Sequence, residues 1–151
     1  MLLGSSVRDI AEHLQAKIIM NEAMADQIVE NFMVGALTLD SSVDYFMRQR
    51  NKAVITRGDR PDIQWCALET STRCLLLTNN VMPINYVSDK AREQEVPIIL
   101  TEKDTLATLA ALESLGLRAT VHSQQKVDHY QSLLEHHVSS ILLSVDFEAA
   151  A

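Results

Sequence analysis

The sequence predicts an α/β fold: a layered, mostly parallel sheet flanked by helices. Three observations between Ala53 and Thr105 predict it. Three short apolar runs recur there: Ala53-Val54-Ile55-Thr56, Cys74-Leu75-Leu76-Leu77-Thr78 and Pro97-Ile98-Ile99-Leu100-Thr101. Each ends on Thr and is followed by a polar loop and then a helix-like segment. Each run is continuous rather than alternating, the pattern of strands covered on both faces, as in parallel α/β sheets.

The other elements follow in order. Ser5 or Ser6 can cap a first helix in which Val7, Ile10, Ala11 and Leu14 form one apolar stripe. Lys17–Met20 reads as a short strand, and Asn21–Gln27 as a polar loop. Ile28–Val34 is expected to be one further strand, punctuated by Gly35. Asp40 is a candidate cap for a helix with Val43, Phe46 and Met47 on a shared face, and Arg48 and Arg50 suit its negative pole.

In the first repeated unit Asp59 is the expected N-cap, with Asp62 completing a box-like pair and Pro61 in the first turn. Ile63, Cys66, Ala67 and Thr70 follow on one face. In the second unit Thr78-Asn79-Asn80 is the loop and Pro83 opens a helix striped by Ile84, Val87 and Ala91. In the third, Thr101 or Asp104 caps a helix carrying Thr105, Leu109 and Leu112, which Gly116 stops. Beyond it, Leu117–Val121 reads as a strand and Gln124–Val138 as a helix. Ile141–Val145 reads as an edge strand or docking segment.

Length fits one domain, residues 1–146, with 147–151 a frayed tail. Hydrophobic content of 47% against 5% aromatic implies an aliphatic core. A net charge of −7 argues against a nucleic-acid footprint and against an anionic membrane surface. No run is long enough for a transmembrane helix, and the N-terminus lacks the parts of a signal peptide. The cysteines, Cys66 and Cys74, have no zinc or redox spacing and read as buried small hydrophobes in a reducing cytoplasm.

Val34-Gly35-Ala36, Thr56-Arg57-Gly58-Asp59-Arg60 with Asp62-Ile63, Ala67-Leu68-Glu69-Thr70-Ser71, Val96-Pro97-Ile98 and Asp104-Thr105 together form a pattern that resembles the DRTGG domain family. The resemblance runs from about Arg8 to Leu115. It implies a fold similar to the N-terminal domain of HPr kinase, a habit of pairing as homodimers, and fusion to P-loop, phosphotransacetylase or CBS domains. It also implies a regulatory or structural role. The Asp and Arg of the family name fall on Asp59 and Arg60, and the Thr on Thr78. The two glycines are replaced by Asn79 and Asn80, which tolerate a left-handed turn better than other non-glycine residues.

Parallel strands would bring Asp59, Arg60, Thr78, Asn79, Asn80, Thr101, Asp104 and Thr105 together at their C-terminal ends, where α/β sheets bind ligands. The simpler reading makes Asp59, Thr101 and Asp104 helix caps and pairs Arg60 with an acid. His122, His129 and His136 are spaced by seven, too far apart along a helix to chelate one ion, and read as a solvated or interface stripe. Against a symmetry mate that stripe would make pairing depend on pH. Ser71, Ser88 and Cys66 lie in no nucleophile motif, and the chain has neither a P-loop nor a dinucleotide-binding loop.

The expectation is therefore a cytoplasmic, non-catalytic regulatory or assembly module that self-associates, with no metal or cofactor. The alternative is a sensor of a nucleotide or acyl-phosphate metabolite at the loop face.

Overall fold

The computed structural model describes residues 4–36 and 39–116. The expected strand, Leu117–Val121, the expected helix, Gln124–Val138, with its histidines, and the segment Ile141–Val145 all lie outside the described residues.

Strand β1 (Ser5–Ser6) runs into helix α1 (Val7–Leu14), followed by β2 (Lys17–Met20), β3 (Ile28–Val29) and β4 (Asn31–Val34). Then come α2 (Leu39–Met47), β5 (Lys52–Arg57), α3 (Pro61–Leu68), β6 (Thr72–Thr78), α4 (Asn85–Glu93), β7 (Ile98–Leu100) and α5 (Thr105–Gly116). The main sheet has the order β2-β7-β6-β5-β4. Its strands are parallel except β2, which pairs antiparallel with β7 at one edge.

The continuous apolar runs do bury both faces. Val54, Leu75, Leu77, Ile98 and Leu100 pack with Phe46 of α2, Ile63 and Ala67 of α3, and Val87 and Ala91 of α4. Ala53, Ile55, Cys74, Leu76 and Ile99 pack with α1 and with Leu112 and Leu115 of α5. So α2, α3 and α4 cover one face, and α1 and α5 the other. Three successive crossovers that each step one strand along the sheet, β4 to β5 to β6 to β7, place α2, α3 and α4 on their shared face.

Helix α1 starts as expected. Ser6 accepts from the Asp9 N–H at 3.0 Å, and Asp9 accepts from the Ser6 N–H at 3.2 Å, a capping box.

Other elements depart from expectation. Ile28–Val34 is two strands, because β3 leaves the main sheet to pair with β1, and exposed Glu30 between them takes the Asn51 side chain instead. The Asn21–Gln27 loop carries a short 3-10 helix, Glu22–Met24. Asn21, at φ 51°, donates to the Ala91 and Val96 carbonyls at 2.8 and 2.9 Å. Helix α2 begins at Leu39, so Asp40 lies inside its first turn. Its Phe46 is buried, whereas Val43 and Met47 are exposed. Helix α4 starts at Asn85 rather than Pro83, because the preceding loop stays extended across its neighbour, with Val81 packed on Gly58.

Candidate functional site

The carboxyl ends of the parallel strands present the loops predicted to hold a site. Among them, the loop after β6 leads to α4 on one face, and the loop after β7 leads to α5 on the opposite face. Adjacent strands whose chains leave in opposite directions open a crevice, the usual ligand position in an open α/β sheet.

Six of the predicted residues meet there. Thr78 is buried, and its hydroxyl lies 3.1 Å from that of Thr105. Asn79 and Asn80 both adopt left-handed backbone, φ 64° and 54°, so the turn that glycines would favour survives in asparagine. Their N–H groups donate to the Lys103 and Thr101 carbonyls at 3.0 and 2.9 Å, stitching the two loops together. Asp104 accepts from the Ala107 N–H at 2.7 Å and is the side-chain cap of α5. Thr101 instead accepts from the Lys103 N–H within its own loop, at 3.3 Å.

Asp59 and Arg60 sit on the next loop along and turn to its own residues. Asp59 pairs with Arg57, and does not cap α3. The position before Pro61 is Arg60, whose side chain makes no cap bond. Arg60 instead grips Asp62 in a fork, Nε to Oδ1 at 3.0 Å and Nη2 to Oδ2 at 2.8 Å. That contact raises the Arg60 pKa and lowers that of Asp62.

The two loop systems touch through backbone. A β-carbon built on Gly58 would stand 1.8 Å from the Val81 carbonyl oxygen. Beneath the Gly58 loop the buried Gln64 amide donates to the Arg57 and Gly58 carbonyls at 2.9 and 3.0 Å. A β-carbon on Gly35 would meet Ile63 Cγ2 at 2.5 Å, which explains a glycine where β4 ends.

At the edge of the crevice lies a cavity of about 200 Å³, lined by Gln15, Lys17, Asn80, Leu100, Thr101, Glu102 and Lys103. Two of these side chains carry ammonium groups that the sequence pattern did not single out. Lys17 arrives because β2 folds back antiparallel, setting it opposite Leu100. Lys103 reaches over to donate to the Leu14 carbonyl at 3.0 Å. No local spacing signals either, since the antiparallel pairing brings distant residues together. Among the described residues no group of His, Cys, Asp and Glu could hold a metal ion.

The sequence profile of the DRTGG domain matches residues 9–115, more than two thirds of the chain. The chain belongs to the DRTGG domain family. A solved relative of this DRTGG domain is the crystal structure of the CBS and DRTGG domains of the regulatory region of Clostridium perfringens pyrophosphatase, complexed with its activator, diadenosine tetraphosphate. The TM-score is 0.60 at 21% identity, covering 70% of this chain and 45% of that one. That likeness supports the layered fold.

Curated relatives include the phosphate acetyltransferases of Salmonella typhimurium, 22% identical over 92% of this chain, and of Synechocystis, 24% identical over 91%. The chain spans about a fifth of the length of each, 20% and 21%.

Proposed function

We propose that this DRTGG domain is a non-catalytic regulatory and assembly module that self-associates and works beside a catalytic domain of the phosphotransacetylase or P-loop type. The observation that carries this reading is an uncovered apolar surface. Val81, Met82, Ile84 and Tyr86 are each between 39% and 59% exposed, and Trp65 is 38% exposed. Trp65 meets Tyr86 edge-on at 5.4 Å, and Lys90 lies 3.8 Å above the indole. Aromatic side chains grouped on a surface suit a protein partner. Meanwhile Asp62, Asp104 and Arg60 are occupied in structural pairs and caps, which leaves them poorly placed for chemistry.

The relatives support a regulatory role. One is described as part of a regulatory region, and the others carry this stretch as a fraction of a large enzyme. Two buried free cysteines fit a reducing cytoplasm, and among the described residues no helix is long and apolar enough to cross a membrane.

Sedimentation of the wild type and of Trp65→Glu/Tyr86→Glu tests the proposal. A dimer that dissociates on substitution is expected. A wild type that stays monomeric at high micromolar concentration refutes self-association.

A second reading, ligand sensing at the loop face, is favoured by the cavity beside the β6/β7 crevice.

A further inference from the structure

The cavity at the edge of the crevice has a chemical character that narrows what could occupy it. Its lining includes two lysines, Lys17 and Lys103, and one glutamate, Glu102. That is a locally cationic hollow in a chain of net charge −7. Lys103 spends one of its N–H donors on the Leu14 carbonyl and keeps two. Asn80 adds an amide, held at the wall by its left-handed backbone and by its N–H bond to Thr101. The N-terminus of the 12-residue helix α5 follows directly from this loop and adds positive potential, though Asp104 caps it. At about 200 Å³ the cavity is smaller than the usual pocket for a whole drug-sized ligand.

We propose that this cavity is a phosphate-group site. Lys17, Lys103 and Asn80 hold the phosphate oxygens, and any nucleoside or acyl remainder lies outside the cavity. This deepens the ligand-sensing reading and rests on it. It shifts the site away from Arg60, which grips Asp62 on another loop. It also assigns Lys17 and Lys103 a role in binding, with Glu102 as an opposing charge that weakens it. Phosphate is favoured over a lone carboxylate because two ammonium groups match the two charges of a phosphate monoester near neutral pH.

Isothermal titration of pyrophosphate, with ionic strength matched by sodium chloride, tests this. Millimolar or tighter binding is expected. Lys17→Ala should weaken it by about tenfold, the size of one charge-assisted contact. Glu102→Gln should tighten it several-fold. Both changes are on the surface, so folding is preserved. Binding of the same strength in all three proteins overturns the proposal, as does no binding to the wild type. A parallel titration with adenosine separates the two levels. Adenosine binding without pyrophosphate binding overturns the phosphate site and leaves ligand sensing standing, whereas the failure of both overturns both.

Discussion

Lys52→Met is expected to make the protein more stable at neutral pH. Lys52 heads β5 with none of its surface exposed, and its ammonium donates to the Thr70 hydroxyl at 2.9 Å and the Ser71 carbonyl at 3.1 Å. Among the described residues no carboxylate pairs with it. Glu69 is held by Lys90, and Glu30 by Asn51. Burial lowers the Lys52 pKa from an ordinary 10.5 to about 8. At about 1.4 kcal/mol per pKa unit, keeping the amine charged at neutral pH costs about 3 kcal/mol. Methionine keeps an apolar stem and removes that cost. The lost hydrogen bonds return about 1–2 kcal/mol, since Thr70 still donates to the Ala67 carbonyl. The expected net gain is about 1–2 kcal/mol near pH 7, before repacking.

The sign then reverses with pH. Between about 8 and 10.5 the unfolded chain binds the Lys52 proton and the folded one does not, so the wild type gains stability across that window. The advantage of methionine should shrink to nothing by about pH 9 and become a deficit above it. Buried Cys74, whose thiol pKa is pushed up by desolvation, acts oppositely above pH 9 in both proteins and cancels in the difference. Urea unfolding followed by circular dichroism at several pH values gives the comparison. A variant less stable than wild type at pH 7, or a gap that does not move with pH, refutes the argument.

Gly58→Ala should lose about 2 kcal/mol or more in urea unfolding, because the new methyl collides with backbone at Val81 rather than with a movable side chain. Restoring glycines with Asn79→Gly/Asn80→Gly should change the unfolding midpoint little, whereas Asn79→Ala/Asn80→Ala should cost about 1–2 kcal/mol per residue. Ser6→Ala should cost about 1 kcal/mol by removing half of the α1 capping box, read as a Tm drop of a few degrees.

The central sheet was legible because its signal is local and strong. Leu75, Leu76 and Leu77 face alternate sides yet are all apolar, which only a doubly covered strand requires. The left-handed turn was legible in Asn79-Asn80 for a similar reason, since few residues accept that backbone. The caps were less so. Asp104 does cap α5, but Asp59 prefers the guanidinium of Arg57 beside it, and acidic spacing alone does not distinguish a cap from an ion pair. The strand break at Glu30 depends on pairing with Ser5–Ser6, residues more than twenty positions away. Lys17, Lys52 and Lys103 were invisible in the pattern, because a lysine in sequence looks solvated, and only tertiary packing shows one buried or brought to a cavity wall.

The close approach of Gly58 to Val81 has a mechanical consequence. Gly58 has no side chain to act as a cushion against the Val81 backbone, so a displacement of the β6–α4 loop would be passed directly to the β5–α3 loop. A partner that pulled on the apolar run at Val81–Ile84 would drag the Arg57–Asp59 and Arg60–Asp62 pairs with it. It would also strain the Asn79 and Asn80 bonds to the loop after β7. Displacement at one strand end would therefore be felt along three neighbouring strand ends.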